Sequence, residues 1–133
     1  MQPHTVLILD DNETSREVLE YVLSGAGHRT LLAANATNAI RVCKEYKGRL
    51  GVLVTEVLLN GISGAAVAQQ ARELDPTISV VFLSGYPIEH LIVRGFLDQE
   101  QIRASNTVFL QKPFTARTLR QAVQTVQQQS RAE

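Results

Sequence analysis

Thr5-Val6-Leu7-Ile8-Leu9-Asp10-Asp11 reads as a β-strand that ends abruptly in two carboxylates. The run before the aspartates is apolar and β-branched-rich with no alternation, the mark of a strand buried on both faces of a parallel sheet. The pattern returns at residues 50–55, which end at Glu56, at 78–83, followed by Ser84-Gly85, and at 107–110, followed by Gln111-Lys112-Pro113-Phe114. Arg29 to Ala33 is a weaker member of the set.

Amphipathic stretches separate these runs. Residues 13–24 repeat Val18, Leu19, Val22 and Leu23 at three and four, with Arg16, Glu17 and Glu20 on the solvent side, and Gly25-Ala26-Gly27 stops the helix. Residues 35–47 carry Ala36, Ala39, Ile40 and Cys43 on one face, and 65–74 form a third helix closed by Asp75-Pro76. Residues 88–96 read as helix, and 98–105 as one further turn. Thr115 caps a last helix with a stripe of Leu119, Ala122, Val123 and Val126. The polar residues from Gln127 onward read as a fraying tail. Five βα units without repeats or linkers imply one α/β domain over residues 1–133, with its core at about 5–126. Strict alternation of elements argues for a parallel sheet with helices on both faces.

A parallel sheet gathers the ends of its strands on one edge, where ligands of such folds bind. Asp10, Asp11, Glu56, Ser84 and Lys112 all fall at that edge. Two carboxylates ~5 Å apart repel by roughly 3 kcal/mol at an effective dielectric near 20. Such a cluster calls for a proton, a lysine or a hard divalent cation, and magnesium suits few carboxylates completed by water. A hydroxyl, a lysine and a metal together are equipped to stabilise a phosphoryl group in transfer. Taken alone, Asp10-Asp11 would read as acids capping the first helix, and Lys112 as a surface lysine.

Residues 6–11, 53–64, 81–86 and 109–114 resemble the receiver domain of bacterial two-component response regulators. Leu-Ser-Gly-Tyr at 83–86 and the later Ile-Val-Arg-Gly-Phe-Leu-Asp are most similar to receivers fused behind hybrid histidine kinases. The resemblance implies a flavodoxin-like three-layer sandwich with strand order 2-1-3-4-5. It implies magnesium held by Asp10, Asp11, Glu56 and the backbone carbonyl of Leu58. It further implies Ser84 as switch hydroxyl, Phe109 as switch aromatic, Lys112 as phosphate contact, and a cis peptide before Pro113. The implied partners are a histidine kinase or phosphotransfer protein and a downstream effector, met through the fourth helix, fifth strand and last helix. A monomer or weak homodimer is expected.

One position departs from the pattern. Where the family carries its phosphate-accepting aspartate, this chain has Glu56, followed by Val57-Leu58-Leu59-Asn60-Gly61. The added methylene moves the carboxylate out by about 1.5 Å. A misplacement of ~1 Å can cost on the order of a hundredfold in rate. Three outcomes stay open: Glu56 imitates a phosphoryl group, leaves the switch inert, or still accepts phosphate slowly. A small flavodoxin-like binder of nucleotide or flavin is a further reading, disfavoured because there is no Gly-x-x-x-x-Gly-Lys loop and no tryptophan.

Composition narrows the field. With 13 basic and 13 acidic residues, the formal net charge is zero, which gives no bulk attraction for nucleic acid or anionic lipid. The single cysteine, Cys43, excludes an internal disulfide and reads as a buried side chain. His4, His28 and His90 lack metal-ligand spacing and read as surface or loop residues. No run approaches the ~20 apolar residues that cross a bilayer, and the start lacks signal-peptide character, so a cytoplasmic location is expected.

Overall fold

The computed structural model describes residues 5–132, with side chains described through Gln128. Expectations for His4 lie outside the described residues. Strands β1 (Thr5–Leu9), β2 (Arg29–Ala33), β3 (Leu50–Glu56), β4 (Ser79–Ser84) and β5 (Thr107–Gln111) form one sheet in the order β2-β1-β3-β4-β5. Every neighbouring pair is parallel. Helices α1 (Glu13–Gly25), α2 (Ala36–Glu45), α3 (Gly64–Leu74), α4 (Ile88–Val93), α5 (Gln99–Arg103) and α6 (Ala116–Ala132) complete the described chain. The expected fold, strand order included, is the one observed.

The unbroken apolar strands are explained by their two faces. Side chains alternate across a strand, so Val6 and Ile8 enter one core cluster while Leu7 and Leu9 enter the other. On β4, Val81 and Leu83 join the first, and Val80 and Phe82 the second. The first cluster is closed by Leu19 and Leu23 of α1 and by Leu119, Ala122, Val123 and Val126 of α6. The second is closed by Ala39 and Cys43 of α2, Ala65, Val67, Ala68 and Ala71 of α3, and Leu91 of α4. Cys43 is buried there, and burial, with the charge of Asp75 behind it, pushes its thiol up to about 11. It is a packing residue, held in the unreactive thiol form at neutral pH.

Three boundaries differ from expectation. The helix expected over 88–96 stops at Val93, and Gly95 follows with φ +79°, a conformation that ends a helix. The uncertain turn after it is α5, opened by a capping box. The Asp98 carboxylate accepts from the Glu100 N–H at 2.8 Å, and the Gln101 side chain accepts from the Asp98 N–H at 3.3 Å. At the C-terminus, α6 continues to Ala132 through residues expected to form a polar tail. Polar side chains forbid burial, but they do not forbid helix, and Gln and Arg are good helix formers.

Gly64 positions the site. It opens α3 directly beneath β3, its N–H donates to the Val57 carbonyl at 2.7 Å, and a Cβ there would fall on the Glu56 carbonyl. The Thr55 hydroxyl would lie 2.8 Å from the same Cβ. Gly64→Ala is therefore expected to destabilise the fold by about 3 kcal/mol, at the upper end of overpacking costs. Urea unfolding checks this, and an unchanged midpoint would show that α3 can slide away from β3.

Candidate functional site

The acidic rim is built from strand ends that the sheet brings side by side. Asp10 directly follows β1 and is buried, 1% exposed. Its Oδ1 accepts from the Asn12 N–H at 2.9 Å, and its carbonyl accepts from Arg16 Nη1 at 2.8 Å. Its Oδ2 is buried with no hydrogen-bond partner. Asp11 is exposed, and its Oδ2 accepts from the Asn60 N–H at 3.0 Å, which ties the β1–α1 loop to the β3–α3 loop. Asn12, rather than either aspartate, caps α1 by accepting from the Ser15 N–H at 2.8 Å. The capping role that Asp10-Asp11 would have had alone is thus already filled.

Glu56 is the last residue of β3, and Lys112 follows β5. They form an ion pair between Glu56 Oε1 and Lys112 Nζ across the intervening end of β4. The Glu56 side chain is 13% exposed, and its Oε2 is buried without a partner. Backbone bonds fix the frame: the Lys112 N–H donates to the Ser84 carbonyl at 2.8 Å, and the Val57 N–H to the Leu83 carbonyl at 2.9 Å. Ser84 is buried at this edge, with its Oγ accepting from the Tyr86 N–H at 3.1 Å. Phe109 is half-buried against the core cluster that contains Leu91 and Leu97. Leu58 is exposed in the β3–α3 loop, and the Lys112–Pro113 peptide is cis.

Two opposing effects act on Glu56. Burial raises its pKa, while the hydrogen bond and charge of Lys112 lower it, and Asp10 and Asp11 raise it further. The net direction is upward, because the carboxylate leaves water yet has a partner for only one of its oxygens. His28, which lies between α1 and β2, is held below its usual value by burial.

The expected residues do share one edge, but they do not all point at one another. Among the described residues no group of three His, Cys, Asp or Glu side chains is close enough to hold a metal ion. Of the expected metal set, Glu56 turns its carboxylate to Lys112, while Asp11 turns its own to Asn60. Asp10 and Asp11 still fit a hard cation in part, since Asp10 Oδ2 is buried and unsatisfied. Sequence reasoning missed Arg16, which was placed on the solvent side but is half-buried and reaches the Asp10 carbonyl. Its position six residues after Asp10, one turn into the helix that the aspartates precede, was the available signal.

The fold and this rim define an open parallel α/β signalling module, and comparison with known proteins gives the family. Residues 6–124 match the model of the response regulator receiver domain. The chain belongs to the receiver domain family of two-component signalling. It is 30% identical over 119 residues to the autoinducer 1 sensor kinase/phosphatase LuxN of Vibrio campbellii, covering 90% of this chain. The chain spans only 13% of that protein's length. Among solved structures, a response regulator receiver protein from Sinorhizobium medicae WSM419 superposes with a TM-score of 0.80 at 25% identity, covering 97% of this chain and 98% of that one. The receiver domain of the hybrid histidine kinase CckA superposes with a TM-score of 0.74 at 26% identity, covering 92% and 98%. The hybrid-kinase likeness read from residues 83–98 thus has a structural counterpart.

The raised pKa of Glu56 has a sign that can be measured. Its folded pKa lies above the unfolded one, so its contribution to stability is fully present below the unfolded value and is lost as pH rises through the folded value. Glu56→Gln removes this titration. The stability of the wild type relative to Glu56→Gln is therefore expected to fall as pH rises from about 4 through the raised pKa. Urea midpoints of both proteins across that range check the direction, and a difference that grows with pH would mean that Lys112 dominates.

Proposed function

We propose that this chain is an atypical receiver domain that signals by protein docking, with Glu56 standing where the family places its phosphate acceptor. What supports this reading is the state of the Glu56 carboxylate: Oε1 is paired with Lys112 and Oε2 is buried. A nucleophile must present a free oxygen to the phosphorus of its donor, roughly 3–3.5 Å away and in line. Neither oxygen of Glu56 meets that condition. The pair also supplies what a phosphoryl group would supply, a negative charge held against the lysine at the end of β5, though with one charge rather than nearly two. Mimicry of the activated state follows more directly from this contact than an inert rim does. The domain on this reading is not an enzyme.

Magnesium remains part of the proposal at a reduced level. Asp10, Asp11 and the Leu58 carbonyl would hold it, with water completing the shell. When bound it would supply positive charge to a rim whose carboxylates otherwise repel. Asp10 brings a buried oxygen with no other partner, Asp11 brings an exposed one, and Arg16 holds the Asp10 backbone in place. Glu56 stays with Lys112 and is not counted among the ligands.

The partners proposed are a histidine kinase or phosphotransfer protein and an effector, met at α4, β5 and α6, in the cytoplasm. No described helix is long and apolar enough to cross a membrane. The start of α4 offers Tyr86 of the preceding loop stacked on His90 at 5.1 Å, and its end the 84% exposed Val93, which suits a protein contact.

Incubation with a small acyl-phosphate donor and magnesium is expected to add no phosphoryl mass to the wild type. Glu56→Asp, whose shorter arm withdraws from Lys112, is expected to acquire a phosphoryl group under the same conditions. Stoichiometric phosphorylation of the wild type, mapped to Glu56, would overturn the proposal. For the metal, magnesium at ten times its dissociation constant would add about 1.4 kcal/mol to stability. That gain is expected to vanish in Asp10→Asn and to survive in Glu56→Gln. Loss of the gain in Glu56→Gln would place Glu56 among the ligands.

A further inference from the structure

A groove of about 1030 Å³ lies between α3 and the elbow formed by α4 and α5. Its accessible apolar lining includes Ala66 and Ile92, both half-buried, and the exposed Phe96. Hydrogen bonds between the walls keep it formed. Ser63 Oγ donates to the Phe96 carbonyl at 3.0 Å, and Gln101 Nε2 donates to the Ala65 carbonyl at 3.0 Å. At the far end, Arg72 Nη2 donates to the Thr107 hydroxyl at 2.7 Å and to the carbonyl and side chain of Asn106. The groove follows α3, whose 11 residues run roughly 16 Å. At its near end Ser63 and Phe96 also line a smaller apolar pocket of about 340 Å³ with Leu58, Leu59 and Ile62. Leu58 and Phe96 remain 37% and 38% exposed there.

Charge says what such a groove would accept. Its acidic lining residues are Glu73, Asp98 and Glu100, and its one basic lining residue is Arg72. The Arg72 guanidinium is hydrogen-bonded to Asn106 and Thr107, so the lining sets three carboxylates against one cation. Arg94 and Arg103, on the same elbow, do not line the groove. In a chain of zero formal net charge, this mouth is locally acidic. It repels nucleic acid and anionic lipid, and it complements a cationic segment.

We propose that this groove docks a peptide segment of a partner protein in which Lys or Arg residues flank a short apolar stripe. The apolar side chains lie over Ala66, Ile92 and Phe96, and the cations face Glu73 and Glu100. The near end of the segment reaches Leu58 and Phe96. Bound there, it bears on the β3–α3 loop, whose Asn60 N–H holds Asp11. Occupancy of the groove is thereby coupled to the acidic rim, whatever the chemistry of Glu56.

The test is an NMR titration of the full chain, labelled with ¹⁵N, against two synthetic peptides of about twelve residues, close to the length of α3 in helical form. One carries a Leu/Ala stripe flanked by Lys, and its twin has Glu at every Lys position. The Lys peptide is expected to shift the amides of Ala66, Gln69, Leu97 and Gln101 in a saturable way. The Glu twin is expected to leave them in place. The double variant Glu73→Lys/Glu100→Lys, with both changes on exposed positions, should keep its melting temperature and bind the Lys peptide at least about tenfold more weakly. Ala66→Trp, which fills the groove without altering charge, should also weaken binding. Equal binding of both peptides, shifts confined to Asp10 and Asp11 or to α1, or indifference to the charge reversal would overturn the proposal. So would concentration-dependent self-association that the Lys peptide displaces, since the occupant would then be a second copy of this chain.

Discussion

A sheet covered by helices on both faces leaves charge one place to go. Within β1, β3 and β4 most side chains are buried in one of two apolar clusters, and an ionised group there would have no partner and no water. The ionisable residues therefore collect where the strands run out, and because all neighbours are parallel they run out at the same edge. Asp10, Asp11, Glu56 and Lys112 are neighbours for this reason. Their chemistry follows from a constraint on burial, and the site is a consequence of how the core is closed.

Crowding at that edge has to be relieved, and each group finds a different way. Asp10 accepts from a backbone N–H and keeps one buried oxygen unsatisfied, while Asp11 turns outward to the β3–α3 loop. Glu56 has an arm long enough to reach Lys112, and it takes the lysine. An aspartate at the same strand end would stop about one C–C bond short of that reach. The core beneath it is untouched.

The second consequence of the fold lies on the opposite side of α3. Between β4 and β5 the chain forms the short helices α4 and α5, and the elbow at Gly95 lines the groove against α3. Its walls are joined by side-chain bonds from Ser63, Gln101 and Arg72, so it keeps its shape without a ligand. The rim and the groove adjoin the same β3–α3 loop, which gives Asn60 to Asp11 and Leu58 to the small apolar pocket.

The sheet was legible in the residues because apolar, β-branched runs of this length have few alternatives, and their parallel pairing follows from helices placed between them. The edge residues were legible for the same reason, since a polar residue directly after such a run has to sit at the strand end. Strand order could not be read from pattern and came only with the family likeness. Local periodicity also missed what depends on distance in space. Arg16 looked like a solvent residue of α1 until the fold laid it against the Asp10 carbonyl. Glu56 could be placed at the edge from its strand, but its pairing with Lys112, 56 residues away, came only with the fold. The sequence by itself determined which residues stand at the edge, because burial is decided by side-chain type. Only the tertiary structure decided which of them pair, because pairing depends on the reach and direction of each side chain once the strands lie side by side.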